Sequence, residues 1–301
     1  MVEIIALVGP TASGKTGLAI QIAKELRTAE VVNADAMQLY HGMDIGTAKL
    51  SSDEMQGIPH HLLSVIQPTK DVTAVEYRGM FDQVVEEIRS RGNTPIVVGG
   101  STLYLASALD DLAFAPTDPK LREKLEQESE HVGALTMHAR LNSMDPIAAQ
   151  KIPAANKRRV IRAIEVITLS GKSFASSLPE PSYRRPSIQI GIDVPKEELA
   201  VRIQRRVVEM WQRGLLAEAQ QLLDSFGSLS ATAAVAIGYK QAFAQLRGEI
   251  SQDQAMEETS FLTSRYAKKQ RTWFIRDKRI HWLDSQQDLL SQAMGLIRLE
   301  Q

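Results

Sequence analysis

The chain has 301 residues, 44% of them hydrophobic and 24% charged, with a formal net charge of −1. This length and composition suit a globular protein that buries one large core or two smaller ones. The absence of cysteine excludes disulfides, thiolate zinc sites and cysteine nucleophiles, and the lack of a basic leader or a bilayer-length apolar run predicts a cytoplasmic protein without a membrane segment.

The first third of the chain alternates between strand and helix signals. Apolar runs at residues 2–8, 30–35 and 95–98 predict strands, and residues 16–26 and 73–91 predict helices. The second helix begins with the capping-box pattern Thr73-x-x-Glu76. Strands that alternate with helices, and that are apolar throughout, predict a parallel α/β sheet covered on both faces.

The pattern changes in the middle of the chain. Residues 115–119, which include two prolines, predict a linker before a helical, strand-poor stretch at 120–171. Residues 177–186, with three prolines, predict a return linker. A strand at 188–194 is followed by helices to the end. We therefore predict an α/β core at 1–115, a helical insertion domain that contacts RNA at 116–186, and the second part of the core with basic C-terminal helices at 187–301.

Residues 9–16 carry the clearest chemical motif. Gly-Pro-Thr-Ala-Ser-Gly-Lys-Thr matches G-x-x-x-x-G-K-[ST] between a predicted strand and a predicted helix, which is the context of a phosphate loop. Backbone amides and the helix N-terminus would hold an anion, Lys15 would neutralise a terminal phosphate, and the Thr16 hydroxyl would bind Mg²⁺. The predicted phosphate-binding residues are Gly9, Thr11, Ala12, Ser13, Gly14, Lys15 and Thr16.

A phosphate loop alone does not make an ATPase. Nucleotide hydrolases of this class hold Mg²⁺ through an acidic residue that ends a second apolar strand. The strand at 95–98 ends instead in Gly99-Gly100, whereas the strand at 30–35 ends in Asp35. From the residues alone, Asp35 is either a metal ligand or a base acting on a second substrate.

Seven ordered motifs resemble a known family. Residues 34–49, Ala-Asp-Ala-Met-Gln-Leu-Tyr-His-Gly-Met-Asp-Ile-Gly-Thr-Ala-Lys, resemble the signature of bacterial tRNA dimethylallyltransferases. Further matches are His-His-Leu at 60–62, Val-Gly-Gly-Ser-Thr-Leu-Tyr at 98–104, Arg-Val-Ile-Arg-Ala-Ile-Glu at 159–165, Ala-Ile-Gly-Tyr-Lys at 236–240, Arg-Tyr-Ala-Lys-Lys-Gln at 265–270 and Thr-Trp-Phe at 272–274. The chain departs at Ala36, where the family usually has Ser, and at Ser101, where it usually has Thr. The zinc finger of eukaryotic members is absent.

The resemblance implies a reaction and a division of roles. The family transfers the dimethylallyl group of dimethylallyl diphosphate to the exocyclic N6 amine of the adenosine immediately 3′ of the anticodon in tRNA, and releases diphosphate. The phosphate loop would hold the diphosphate, Asp35 would be the catalytic base, and Thr16 would act with Mg²⁺. An arginine from the segment matching 202–210 reaches the diphosphate in the family. Arg202 and Arg206 are both candidates for diphosphate binding, and Arg206 also for catalysis.

Positive charge is concentrated in two segments. Residues 151–185 carry eight Lys/Arg against two Glu, and residues 262–279 carry seven Lys/Arg against one Asp. Such segregation favours a polyanion as partner, although a single charged helix face is as often plain solvated surface. Predicted tRNA contacts are Met37, Gln38, Leu39, Tyr40, Thr47, Lys49, Gly100, Ser101, Arg158, Arg159, Arg162, Arg265, Lys268, Lys269 and Gln270.

Some of these residues have a second interpretation. Met37 and Tyr40, which would flank an extruded base, are equally suited to core packing. His60 and His61 have no third zinc ligand, so we interpret them as structural or substrate-positioning residues.

Three other functions remain open. An adenylate isopentenyltransferase would share the donor site but would not need the insertion or the basic helix. A small-molecule kinase would use ATP on the same loop, and a non-catalytic RNA-binding module would not need that loop. We expect a monomer.

Overall fold

The computed structural model describes residues 2–174 and 182–300. The chain divides into two compact units, one formed by Met1–Asp111 with Ser182–Gln301 and the other by Leu112–Pro181. Of the predicted return linker, positions 177–181 lie outside the described residues.

The first unit contains a six-stranded sheet. Its strands are β1 (Ile4–Val8), β2 (Ala29–Asn33), β3 (His60–His61), β4 (Thr94–Val98), β5 (Ser187–Asp193) and β6 (Ile280–Asp284). They lie in the order β3-β2-β4-β1-β5-β6, and every pairing is parallel. The predicted α/β fold with a parallel sheet is confirmed.

Helices flank the sheet and make up the second unit. In the first unit they are α1 (Lys15–Leu26), α2 (Ala74–Ser90), α3 (Thr102–Leu109), α7 (Lys196–Gln212), α8 (Leu215–Phe226), α9 (Tyr239–Leu246), α10 (Gln252–Phe274) and α11 (Leu289–Leu299). In the second unit they are α4 (Pro119–Met144), α5 (Pro146–Lys151) and α6 (Lys157–Ser170). Throughout the described ranges, no helix combines the length and apolar character needed to cross a membrane.

Alternate side chains of β1 enter two different cores. Val8 belongs to a buried cluster with Tyr77 of α2, and Leu7 belongs to a second cluster with Leu18 of α1. Successive strand residues point to opposite faces, so a strand covered on both sides is apolar at every position. Helical cover on both faces therefore explains the unbroken apolar runs.

The register of the sheet gathers the ends of three strands. Ile96 of β4 pairs with Ile5 of β1 on one side and with Val31 of β2 on the other. In a parallel sheet the carboxyl ends of all strands lie at the same end of the sheet, which is where open α/β folds bind ligands. The loops that follow β1, β2 and β4 therefore lie side by side.

Two strands were absent from the sequence prediction. The prediction of helices from residue 194 to the end is wrong for β6, whose Ile280 and Leu283 are buried while His281 and Asp284 are exposed. The two-residue β3 exists only through its pairing with β2, with His60 opposite Val31. Both segments are short edge strands, which are defined by their hydrogen bonds to an existing sheet and have weak local signals.

The second unit has its own apolar core and a buried charge cluster. Leu141 of α4 and Ile164 of α6 are completely buried in one cluster, and α4 is kinked at Gly133, where φ is +80°. The Glu165 carboxylate, fully buried, accepts hydrogen bonds from Arg122 at 2.7 Å and Arg162 at 2.8 Å. The pKa of Glu165 is lowered to about 2 because the hydrogen bonds from Arg162 and Arg122 outweigh the opposing effect of burial.

Candidate active site

The loop between β1 and α1 wraps around the Lys15 side chain. Gly9 has φ +133° and Gly14, the N-cap of α1, has φ +96°, conformations that favour glycine. Lys15 Nζ donates to the Pro10 carbonyl at 2.6 Å and to Ser13 Oγ at 3.4 Å. The loop therefore ends in an open helix N-terminus with a buried cation beside it, which is an arrangement suited to phosphate.

Burial leaves the Lys15 ammonium short of compensating charge. Its pKa is lowered to about 8, first by desolvation and further by the nearby Arg206, against the opposing effect of Asp35. A bound polyanion would stabilise the charged amine. The site is electrostatically prepared for an anionic ligand.

Helix α7 brings two arginines to the loop. Arg202 Nη1 donates to the Ser13 carbonyl at 3.3 Å, and its Nη2 pairs with Glu198. Arg206 Nη1 donates to Thr11 Oγ1 at 3.0 Å and its Nη2 to the Thr47 carbonyl at 3.1 Å. Burial lowers the pKa of Arg206, and its Nε is buried without a hydrogen-bond partner among the described residues. Both candidate arginines therefore reach the phosphate loop.

Asp35 directly follows β2 and caps a short 3₁₀ helix at Ala36–Leu39. Its Oδ1 accepts a hydrogen bond from the Met37 amide at 3.0 Å, and its own amide donates to Asn33 Oδ1 at 2.9 Å. These bonds fix the direction of the carboxylate through the backbone, which is how Asx caps act.

Two cavities meet at Asp35. The first, about 730 Å³, is lined by the phosphate loop, Arg202, Gln38 and Gly100. The second, about 270 Å³, has mostly apolar walls. These include Ala36, Met37, Ile203, Val207, Met210, Val235, Ala236, Ile237 and Tyr266. Both cavities share Thr11, Asp35, Thr47 and Arg206. The Asp35 carboxylate and the Arg206 guanidinium therefore lie where the cavity of the phosphate loop adjoins the mostly apolar one.

Close backbone approach explains the two glycines after β4. A Cβ on Gly99 would lie 2.2 Å from the Ala34 carbonyl oxygen, and one on Gly100 would lie 2.2 Å from Gln270 Nε2. Gln270 Nε2 donates to the Gly100 carbonyl at 2.8 Å, while its Oε1 accepts from the Thr11 amide at 2.9 Å. Nucleotide hydrolases have a Mg²⁺-binding acid at the end of such a strand. Here the two glycines pack against Ala34, next to Asp35, and against Gln270 of α10.

The two departures from the family pattern contact each other. The Ala36 amide donates to Ser101 Oγ at 2.9 Å. The bond uses a backbone donor, so it does not need a hydroxyl at position 36, and either Ser or Thr at 101 supplies the acceptor. The substitutions therefore preserve the link between the Asp35 segment and the end of β4.

The predicted tRNA contacts near Asp35 fall into two groups. Met37, Gln38, Gly100 and Ser101 line the cavities. A second group has buried side chains, which weighs against direct RNA contact; its members are Leu39, Tyr40, Thr47, Lys49 and Gln270. Of these, Thr47 and Gln270 also line a cavity.

Lys49 shows how a buried side chain of this group is bound. Its Nζ donates to the Tyr40 carbonyl at 2.8 Å, to Asp44 at 2.6 Å and to Ser64 Oγ at 2.7 Å. All three donors of the ammonium are therefore used within the protein.

The remaining predicted contacts lie on two helices. Arg265, Lys268 and Lys269 are exposed on α10, where the Arg265 guanidinium lies 5.6 Å from the centroid of the Phe261 ring. Arg158 and Arg159 are exposed on α6 of the second unit. Arg162 differs, because it donates to the carbonyls of Ala115 and Pro116, both at 2.9 Å, and pairs with Glu165.

Sequence reasoning missed several residues of the site. Glu218 and Tyr239 hold the turn that contains Thr47, and nothing local to either position signals this contact. His60 was not missed: the sequence indicated a structural or substrate-positioning residue, and His60 lines the first cavity with its Nε2 buried and without a partner in the described part of the chain. Among residues 2–174 and 182–300, no three His, Cys, Asp or Glu side chains converge as metal ligands do.

Comparison with known proteins identifies the family. A sequence model of the IPP transferase family matches residues 38–278. The tRNA dimethylallyltransferase of Kineococcus radiotolerans is 47% identical over 287 residues, covering 94% of this chain and 90% of that protein. That of Thermobifida fusca is 44% identical over 302 residues, covering 99% and 95%.

Solved structures agree with the sequence comparison. The tRNA isopentenylpyrophosphate transferase of Bacillus halodurans superposes with a TM-score of 0.73 at 34% identity, covering 99% of this chain and 95% of that one. A eukaryotic dimethylallyltransferase acting on tRNA gives a TM-score of 0.81 at 26% identity, covering 98% and 78%. The chain belongs to the IPP transferase family, whose members include the bacterial tRNA dimethylallyltransferases.

Proposed function

We propose that this chain transfers the dimethylallyl group of dimethylallyl diphosphate to the N6 amine of the adenosine immediately 3′ of the anticodon in tRNA, releasing diphosphate. The observation that carries the proposal is the position of Asp35, which faces both the phosphate-loop cavity and the apolar cavity. A base at this junction is in reach of a donor held on one side and an acceptor held on the other. We further propose that the protein acts as a cytoplasmic monomer.

The first cavity suits the diphosphate of the donor. Lys15, Arg202 and Arg206 line it beside the N-terminus of α1. As the allylic carbon–oxygen bond breaks, negative charge grows on the leaving diphosphate. Cations and amides fixed around that position stabilise the charge without reorganising during the reaction.

A magnesium ion fits the residues present. Thr16 lines the first cavity and offers a hydroxyl, and Mg²⁺ commonly combines few protein ligands with phosphate oxygens and waters. No carboxylate cluster competes for it among the described residues. Thr16 would hold the ion together with the diphosphate, and the ion would supply additional positive charge to the leaving group.

The second cavity suits a base extruded from the anticodon loop. An adenine must leave its stack to reach an enclosed site, and apolar side chains such as Met37 and Tyr266 would support it there. The N6 nitrogen attacks the allylic carbon, a nitrogen–carbon bond forms as the carbon–oxygen bond breaks, and Asp35 accepts the N6 proton. Diphosphate leaves with the electron pair of the broken bond.

Two exposed basic surfaces would bind the rest of the tRNA. Arg158 and Arg159 belong to the proposed insertion domain at 116–186, and Lys268 and Lys269 lie on α10. Contacts to phosphates hold nucleic acid in register and weaken as salt rises.

The decisive experiment offers three acceptors to the purified protein. Labelled dimethylallyl diphosphate and Mg²⁺ are incubated with unmodified tRNA, with the same tRNA carrying guanosine 3′ of the anticodon, and with AMP, each with and without EDTA. We expect label on the first tRNA only, and only with Mg²⁺. Label on AMP instead would make the protein an adenylate isopentenyltransferase, and ATP hydrolysis without any prenyl transfer would support a kinase-like function.

A further inference from the structure

The turn at residues 43–49 presents the Thr47 carbonyl to the active site. Thr47 lies in the wall of both cavities, and its carbonyl accepts hydrogen bonds from Arg206 Nη2 and from Gln38 Nε2, both at 3.1 Å. Arg206 also donates to Thr11 Oγ1 at 3.0 Å. The guanidinium is thus held between the phosphate loop and this turn, so the position of the turn decides the position of Arg206.

One carboxylate holds the turn in place. Glu218 of α8 accepts hydrogen bonds from the amide of Asp44 at 3.1 Å, from that of Ile45 at 2.9 and 3.1 Å, and from that of Gly46 at 3.3 Å. Consecutive amides that converge on an anion form a concave nest, and hydrogen bonds to an ionised acceptor are stronger than neutral ones. Glu218 therefore holds three consecutive amides of the turn, which Lys49 also braces through Asp44.

Tyr239 fixes the carboxylate from the opposite side. Its hydroxyl donates to Glu218 Oε1 at 2.6 Å, and the side chain is fully buried. A Cβ on Gly46 would lie 2.4 Å from the Tyr239 ring, so only glycine lets the turn approach this closely. Burial first, and then the neighbouring Glu218 charge, raises the pKa of Tyr239, which keeps the hydroxyl a donor.

Neither Glu218 nor Tyr239 is among the described residues that line the two cavities, so any effect on the reaction must pass through the turn. We propose that Glu218, supported by Tyr239, is a positioning residue that sets the Thr47 carbonyl and thereby directs Arg206 at the diphosphate of the donor. The role of Arg206 in this proposal rests on the proposed function.

The test uses variants that change the hydrogen bonds and not the volume. Glu218→Gln replaces one acceptor oxygen with an amide NH2 group, a donor that would face backbone donors, and Tyr239→Phe removes a single hydroxyl. Asp224→Asn is the matched control, because Asp224 is an exposed carboxylate on the same helix that bonds only Gln220 among the described side chains. We would measure kcat, KM for dimethylallyl diphosphate, KM for tRNA, and Tm.

Glu218→Gln should lower kcat/KM for dimethylallyl diphosphate roughly 10- to 100-fold, the loss that misplacing a binding group by about 1 Å can cause. KM for tRNA should be unchanged, Tyr239→Phe should shift the same constants less, and Asp224→Asn should match wild type. A purely structural role would instead lower Tm and the active fraction while both KM values stayed constant, and that result would overturn the proposal.

A double-mutant cycle tests the route through Arg206. If Glu218 acts by placing that guanidinium, adding Glu218→Gln to Arg206→Ala should cause little further loss, whereas fully additive losses would contradict the proposal. If the wild type transfers no prenyl group to any acceptor, the proposed function fails separately. Binding of inorganic diphosphate then decides: weaker binding to a folded Glu218→Gln variant supports positioning, and equal binding refutes it.

Discussion

Asp35 owes its orientation to its immediate neighbours in the chain. The Met37 amide holds one of its oxygens, and Asn33 holds its backbone. Residues 33–37 thus aim the carboxylate locally, and the parallel sheet places it beside the phosphate loop. The identity of the side chain can therefore be changed without moving the backbone.

Asp35→Asn should reduce kcat roughly 10²–10⁴-fold, because the amide cannot accept the N6 proton but can keep the bond to the Met37 amide. Affinity for inorganic diphosphate should stay near the wild-type value. Single-turnover transfer to tRNA and calorimetric titration with diphosphate measure the two quantities. Asp53→Asn, at an exposed aspartate, serves as control, and a folded Asp35→Asn enzyme with more than half of the wild-type rate would remove Asp35 from the role of base.

Lys15 gives the site a pH dependence. Its pKa in the folded protein is about 8, lowered from 10.5 by burial. Below pH 8 the ammonium is charged and attracts diphosphate; above pH 8 the free protein loses that charge, so affinity for inorganic diphosphate should fall as pH rises from 8 to 10. The ionisation of inorganic diphosphate itself is common to all three proteins, so calorimetric titrations across this range should show affinity falling in wild type relative to both Lys15→Arg and Lys15→Met.

The lowered pKa of Lys15 affects folding stability in the opposite direction, because stability should increase with pH where ligand affinity decreases. The unfolded chain binds the Lys15 proton more tightly than the native state does. The contribution of Lys15 to the stability of the ligand-free protein should therefore rise as pH increases from 8 towards 10.5. Lys15→Met, which carries no proton in either state, should lack this contribution. Denaturant unfolding at pH 8 and pH 10 compares them, and an identical pH response in both proteins would contradict burial of a charged Lys15.

At the scale of elements, a buried carboxylate stabilises the edge of the sheet formed by β3. Glu30 of β2 accepts hydrogen bonds from Arg91 at 2.8 and 3.0 Å, from Asn93 at 2.7 Å and from His61 of β3 at 2.6 Å. These bonds join the two-residue β3 and the end of α2 to the sheet. The hydrogen bonds from Arg91 are the largest of the effects that lower the pKa of Glu30 to about 2.

Glu30→Gln should lower the free energy of unfolding by about 2 kcal/mol at pH 7, the usual contribution of hydrogen bonds to a charged acceptor. Because the folded-state pKa lies below the ordinary value of 4.5, this contribution is present above pH 4.5 and is lost as pH falls towards 2. Urea unfolding should therefore show a difference between the two proteins at pH 7 that shrinks at pH 3. A difference of constant size at both pH values would mean that the Glu30 charge does not stabilise the edge.

Helix α2 and strand β6 show which elements can be predicted locally. The capping box predicted at Thr73 and Glu76 is confirmed: each backbone amide donates to the other's side chain, at 2.9 and 3.1 Å. Its donors and acceptors are three residues apart, so the sequence contains the whole motif. Strand β6 forms its hydrogen bonds with β5, about ninety positions earlier in the chain. Its own five residues show only a weak alternation of apolar and polar side chains.

At the scale of the whole molecule, a net charge of −1 conceals basic surfaces. Arg158 and Arg159 lie exposed on α6, whereas their neighbour Arg162 is bound to Glu165 and to backbone carbonyls. Two charges of the three are therefore available to phosphates. The buried Glu165 holds Arg162 in the scaffold of the unit.

Reversing both free charges, Arg158→Glu with Arg159→Glu, should weaken tRNA binding and flatten its salt dependence by a slope of about 2. Transfer at saturating tRNA should be preserved, since neither residue lies in the described walls of the catalytic cavities. Filter binding from 50 to 300 mM salt provides the measurement. Lys24→Glu, at the end of α1 away from the phosphate loop, is the control, and an equal loss per reversed charge in both proteins would indicate only a general charge effect.

The sequence by itself determined the phosphate loop, the helix cap, the order of the main strands and helices, and the family. Each depends on residues that are close along the chain or on an ordered set of such motifs. Tertiary structure alone decided which side chains meet at Asp35. The bond from the Thr11 amide to Gln270 spans 259 positions, and that from Arg206 to Thr11 spans 195. Hydrophobic periodicity and motif spacing cannot predict contacts between residues so far apart in the chain. Such contacts form only when the parallel strands bring their carboxyl ends to the same end of the sheet. For the same reason Glu218, which reads in sequence as one more acidic residue of an amphipathic helix, emerged as the anchor of the active-site turn only in the folded chain.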